Sequence, residues 1–239
     1  MKILDLTFFS PADNLSCDEA LLDESEMADG EEILRFWEPQ KYFVVLGFSN
    51  AWKEELLPSA QQSKTVPIFR RCSGGGAVLQ GPGCLNYSLI LKIKESDASR
   101  NIRATNEYVM ERHRGALEAL TGKKIAVQGH TDLTLGGLKF SGNSQRRKRK
   151  RLLFHGTFLL SFDLSRMNGL LSIPEKQPAY RQNRNHSSFI TNLGISAIRV
   201  KKAIKKIWDV KNPLETIPQN RIKQLSKERY SKKEWNFKF

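Results

Sequence analysis

Residues Phe69–Leu91 read "FRRCSGGGAVLQGPGCLNYSLIL". Two arginines run into a serine and three glycines, a short apolar run follows, and a second glycine-bearing turn leads into an alternating segment. The flanks "VPIFRRC" and "LNYSLILKI" have the β-branched and aromatic content of strands, so the glycine segment joins strand to strand. Adjacent strand residues point to opposite faces, so only one of Arg70 and Arg71 can face a given pocket. A bare triple glycine is usually a hairpin turn. A cation beside N–H groups that no side chain shields makes it a candidate clamp for a phosphate or carboxylate. Two familiar phosphate loops are excluded. Gly76 and Gly81 have P-loop spacing, but Pro82 stands where lysine is required. After Gly74 and Gly76, the third position of a dinucleotide fingerprint is Leu79.

Working outward, "NLSCDEALLDES" places Leu15, Leu21 and Leu22 near helical spacing behind Asn14. "ILRFWEP" and "YFVVLGF" read as strands punctuated by Pro39 and Gly47. "NIRATNEYVMERHRGALEAL" carries one apolar helical face and stops at Thr121-Gly122. "KIAVQG", "TDLTLGGLKFSG" and "LLFHGTFLLSF" read as further strands, with the basic run Arg146–Arg151 between the last two. A polar, loop-like stretch from Pro174 to Ser188 precedes the helical "AIRVKKAIKKIWDV". The pattern predicts one mixed α/β domain over residues 1–210 and a short basic tail over 211–239.

At 239 residues the chain can bury a sizeable core without disulfide or metal staples. Its apolar runs fall far short of the ~20 residues a membrane span needs. Three cysteines without CxxC spacing fit a reducing compartment, and a cytoplasmic location is expected. There are 39 Lys/Arg against 25 Asp/Glu, net +14, unevenly distributed. Residues 1–69 hold 5 basic and 13 acidic residues, net −8; residues 199–239 hold 13 and 4, net +9. Such asymmetry points to an acidic or polyanionic partner.

Three ordered blocks, "RRCSGGGAV", "TDLTLGGLKFSGNSQ" and "HGTFLL", resemble the signatures of the lipoate–protein ligase A family, within the biotin/lipoate ligase superfamily. Weaker similarity in "SCDEALL", "LRFWEP" and "SRMNGLL" extends the resemblance over roughly residues 15–195. It implies an α/β (α+β) fold, a mixed β-sheet with flanking helices, similar to the catalytic core of class II aminoacyl-tRNA synthetases and biotin ligases. The implied chemistry joins lipoate or octanoate to ATP as an acyl-adenylate, then to a lysine of a carrier domain. By the match, Lys139 is the catalytic residue and contacts both acyl carbonyl and phosphate. Arg71, Ser73, Gly74, Gly75, Gly76, Ala77, Val78 and Leu79 are the implied ATP and acyl-adenylate residues. Weaker candidates are Asp132, also the implied Mg²⁺ ligand, His155 at the acyl pocket, and Thr157. Implied partners are the lipoyl-carrier domain of a 2-oxoacid dehydrogenase or the glycine cleavage H protein, and a separate small accessory subunit, because the chain ends about where larger ligases carry a further domain.

The chain departs from the family where an aromatic, His-Asp and Gly-Asn are usual: here Leu79-Gln80-Gly81-Pro82-Gly83-Cys84 follows "GGGAV". Thr131 stands where the second block often has asparagine. Two other readings stay open. An ATP-independent octanoyltransferase would pass the acyl group through a cysteine thioester, with Cys72 or Cys84 as candidate nucleophile. A nucleic-acid binder would use the run Arg146–Arg151, but that run lacks interleaved aromatics and reads first as a solvated hairpin tip.

Overall fold

The computed structural model describes residues 1–28, 30–63, 66–94 and 97–239. Strand β1 (Lys2–Asp5) leads into helix α1 (Pro11–Met27), then β2 (Ile33–Trp37) and β3 (Phe43–Leu46). Short helices α2 (Trp52–Glu55) and α3 (Pro58–Ser63) precede β4 (Ile68–Arg70), β5 (Val78–Gln80) and β6 (Cys84–Lys92). Helix α4 (Ile102–Thr121) is followed by β7 (Ile125–Gln128), β8 (Asp132–Leu135), β9 (Leu138–Arg147) and β10 (Arg151–Leu159). The rest is α5 (His186–Phe189), α6 (Ala197–Ile207), β11 (Asn212–Pro213), α7 (Gln219–Leu225) and α8 (Lys233–Asn236). The mixed sheet and flanking helices expected from the sequence are present. Strands β1, β5 and β11 fall outside the segments whose sequence predicts a strand.

Eight strands form one mixed sheet in the order β11-β1-β2-β6-β10-β9-β8-β7, and β4-β3-β5 form a second, smaller one. Alternation along the central strands gives the large sheet two different faces. Leu34 and Phe36 of β2, Leu85 and Leu89 of β6, and Phe154 and Phe158 of β10 pack in one cluster with Val109 and Leu117 of α4 and Val200 and Ile204 of α6. The opposite face begins apolar, with Ile33, Ile90 and Leu153 in register and packed with α1. The next rung on that face is Arg35–Ser88–His155–Ser144, and the one after it is Trp37–Asn86–Thr157–Gly142. Moving along one face thus trades hydrocarbon for polar groups, and the small sheet covers this polar end.

The segment after residue 210 is folded against the rest of the chain. Ile222, Leu225 and Tyr230 are buried with α1, Arg221 pairs with Asp23 at 2.6 Å, and Arg229 pairs with Glu19. Part of the charge asymmetry is therefore settled internally, the basic end neutralising the acidic first helix. The basic run is the tip of the β9–β10 hairpin, as expected, with Glu26 accepting the backbone N–H groups of Arg149, Lys150 and Arg151. It is only partly solvated. Arg151 is buried, Arg147 donates to Ser99 and Thr105, and Lys148 pairs with Asp23 at 2.6 Å.

Candidate active site

A cavity of about 930 Å³ lies between the polar rungs, the small sheet and the loop 172–181. Arg71, the ribbon Gly75–Val78 and Lys139 all line it. Strand alternation separates the two arginines as anticipated. Arg70 turns away and donates to the carbonyls of Gly47, Asn50, Trp235 and Asn236. Arg71 turns inward. Its guanidinium donates to the carbonyls of Gly74 (2.5 Å) and Gly76 (2.9 Å) and to Ser73 Oγ (3.2 Å). Holding those carbonyls is how Arg71 shapes the ribbon, and the conformation needs Gly75 at φ +85°. Burial pushes the Arg71 pKa down to about 10, so the side chain keeps its charge at neutral pH.

The amide of Ala77 donates to Glu55 Oε2 at 3.3 Å, so a carboxylate rests on the ribbon. Burial raises the Glu55 pKa despite the Ala77 N–H and the Arg71 charge. Ser73, Gly74 and Leu79 do not line the cavity. Ser73 stands behind the wall and contacts His155 Nε2 at 2.5 Å. Leu79 belongs to a separate apolar cluster, because its strand neighbours Val78 and Gln80 take the cavity side. The side chains of Ser73 and Leu79, expected at the nucleotide, thus lie off the cavity.

Lys139 Nζ pairs with Asp132 Oδ1 at 2.8 Å, and Tyr180 donates to Asp132 Oδ2 at 2.7 Å. A register shift between β8 and β9 decides where Lys139 points: Leu133 pairs with Ser141, but Thr134 pairs with Lys139. The extra β9 residue lets Phe140 stay in the α4-side core while Lys139 joins Gly142 on the cavity side. A Cβ on Gly142 would lie 2.9 Å from Lys139 Nζ, so glycine there makes room for the amine. The backbone is also held, Thr191 N–H donating to the Lys139 carbonyl. Both Asp132 oxygens serve Lys139 and Tyr180, and among the described residues no group of three or more His, Cys, Asp or Glu is placed to hold a metal. Asp132 is thus placed to position Lys139.

His155 and Thr157 both line the cavity. His155 Nδ1 lies 3.4 Å from Asp18, whose buried carboxylate is bound by Arg35 at 2.5 Å. Burial alone would raise the Asp18 pKa; Arg35 and His155 outweigh it and hold it below the usual range. Thr157, Asn86 and Gln80 close a ring of hydrogen bonds of 2.5, 2.9 and 2.8 Å. Leu15, Trp37 and Val45 form an apolar wall. Cys17, Cys72 and Cys84 are buried, none lines the cavity, and burial pushes each thiol up to about 12.

Residues 10–209 match the family model of the lipoyl protein ligase A/B catalytic domain. The chain belongs to that family. It is 25% identical to lipoate-protein ligase A subunit 1 of Thermoplasma acidophilum, over 93% of this chain and 90% of that one. It is also 25% identical to the octanoyltransferase LipM of Carboxydothermus hydrogenoformans, over 100% and 98%. Among solved structures, a lipoate-protein ligase A bound with ATP superposes with a TM-score of 0.83 at 21% identity, covering 99% of this chain and 98% of that one. The fold is therefore that of lipoyl protein ligases, and the chain is an enzyme of a family whose members include both ligases and transferases.

Several residues of the site escaped the sequence reading: Asp18, Trp37, Glu55, Gln80 and Asn86 line the cavity, and Tyr180 bonds Asp132, which lines it. Asn86 was recoverable in principle. It sits two residues beyond Cys84 on the same face of β6, so an amide remains near the place where the family asparagine is absent. Tyr180 carries no local signal, since only the fold brings it to Asp132.

Proposed function

We propose that this enzyme activates lipoate or octanoate with ATP and transfers the acyl group to a lysine of a lipoyl-carrier domain. The observation that carries this reading is that Lys139 and the Arg71-shaped ribbon line one cavity. Joining a carboxylate to the α-phosphate of ATP brings two anions together, which is costly unless positive charge and N–H donors are already in place. The carboxylate oxygen attacks the α-phosphorus and pyrophosphate leaves. The carrier amine then attacks the acyl carbon and AMP leaves. Lys139, released from Asp132 by the entering phosphate, stabilises charge in both steps, while the ribbon amides hold the phosphate. Leu15, Trp37 and Val45 offer the acyl chain an apolar wall. Mg²⁺ would arrive with the ATP phosphates and screen their charge.

The thioester alternative requires a thiolate facing the acyl group, whereas all three thiols are buried and pushed away from ionisation. Incubation with lipoate and an apo-lipoyl domain, followed by mass spectrometry of the domain, tests the reading. The mass increment should require ATP and persist in Cys72→Ser and Cys84→Ser. Transfer from an octanoylated carrier without ATP, abolished by either substitution, would overturn it. The expected acceptors are the lipoyl domain of a 2-oxoacid dehydrogenase or the glycine cleavage H protein, with a separate accessory subunit as a further partner.

A further inference from the structure

Beside the cavity, positive charge gathers around the half-buried rings of Phe48 and Trp235. Phe48 donates its backbone N–H to the Ser73 carbonyl, and Ser144 Oγ donates to the Gly74 carbonyl, so both flank the ribbon directly. Arg146 follows Ser144 by two residues on β9, about 7 Å further along the same face, and its guanidinium lies over the Phe48 ring at 5.7 Å. Lys238 Nζ lies over the same ring at 3.5 Å and over Trp235 at 4.2 Å. Beneath them Arg70 stacks on Phe239 at 5.4 Å. Among the described residues, none of Arg70, Arg146 and Lys238 has a carboxylate within ion-pair distance; Arg229 nearby is already matched by Glu19. Burial lowers the Lys238 pKa, and the charges of Arg70, Arg229 and Arg146 lower it further, the signature of like charges held together.

We propose that this patch, Arg146 and Lys238 set around Phe48 and Trp235, docks the acidic face of the protein domain that carries the acceptor lysine. The inference rests on the ligase reading for the identity of that domain. Its place at the ribbon lets a docked domain extend a lysine towards the cavity, and Arg146 and Lys238, with no carboxylate partner among the described residues, match a pair of carboxylates. A nucleic-acid duplex, with one charge per ~1.7 Å, calls for a longer stripe of cations. The remaining exposed cations of the hairpin, Lys148, Arg149 and Lys150, sit at its far tip instead.

The test compares wild type with Arg146→Glu/Lys238→Glu and with Lys202→Glu/Lys205→Glu, which makes the same change in net charge on exposed positions of α6. Binding of a fluorescent apo-lipoyl domain is read by anisotropy, and acyl-adenylate formation by lipoate-dependent pyrophosphate–ATP exchange. The patch variant should bind the domain about tenfold more weakly at low salt, a gap that closes as salt rises. Exchange should be unchanged, and Arg146→Gln/Lys238→Gln should give a smaller loss of the same kind. Equal binding by wild type and patch variant overturns the proposal. So does equal weakening in the α6 variant, which would reduce the effect to net charge, and so does a loss confined to retention of a DNA duplex. If wild type shows no exchange, the ligase reading fails, while the anisotropy comparison still decides the surface.

Discussion

Along β2, β6 and β10, alternate residues build two regions of opposite character. Leu34 and Phe36, Leu85 and Leu89, and Phe154 and Phe158 form the core under α4 and α6. Their immediate neighbours Arg35, Asn86, His155 and Thr157 face the other way, towards α1 and the cavity. The first set is held by area removed from water, which is non-directional and tolerates exchange of similar volumes. The second is held by directed hydrogen bonds and paired charge, where each group needs its partner. The difference teaches that one strand can carry fold and chemistry together when each occupies its own face.

Four perturbations probe that division, in order of expected size. Phe154→Ala, on the core face, should cost about 3–5 kcal/mol of stability in denaturant unfolding, with the KM for ATP unchanged in the folded fraction. Lys139→Ala, on the cavity face, should do the reverse: pyrophosphate exchange falls by about 10²–10³, or ~3–4 kcal/mol of barrier, with the melting temperature barely moved. A comparable loss of stability in Lys139→Ala would erase the distinction between the faces.

The third perturbation is acid. His113 of α4 is packed between Tyr87, Phe158 and Trp208 and accepts a hydrogen bond from Trp208 Nε1 at 2.9 Å. Burial holds its pKa near 3, against 6.5 when exposed, with Arg112 adding to the shift. The unfolded chain therefore binds the extra proton first. The contribution of neutral His113 is complete above pH 6.5 and is lost as pH falls towards 3, amounting to about 2 kcal/mol at pH 5. His113→Gln, which keeps an acceptor for Trp208, should flatten the fall in stability between pH 7 and 5. An unaltered slope would remove His113 from the account. The smallest effect is expected at the ribbon, where Glu55→Gln removes the carboxylate resting on Ala77 and should lower the KM for ATP about two- to threefold, with kcat little changed.

Much of this was legible before the fold was known. The period of two in "FHGTF" puts His155 and Thr157 on one face, and the same rule parts Arg71 from Arg70. Helix α4 stops at Gly122 as its sequence predicts, with that residue at φ +68°. By composition alone, the acidic first third and the basic end point to an outside partner. That reading was incomplete, because Asp23 and Glu19 of α1 are met by Arg221 and Arg229 of the same chain. Composition records how much charge there is, while distance decides which charges meet.

The amino-acid sequence by itself determined the longer strands and helices, the glycine ribbon with its inward arginine, and the family, because these depend on local periodicity and on short runs of residue type. Tertiary structure alone decided that Lys139 enters the cavity. Strict alternation would set it on the face opposite Gly142, and the extra residue where β9 pairs with β8 reverses that. Tertiary structure also brought Tyr180 to Asp132 and the last residues of the chain to Arg70. The physical reason is separation along the chain: a hydrogen bond between residues 48 or 165 apart leaves no trace in local pattern, since it exists only once the sheet has closed around it.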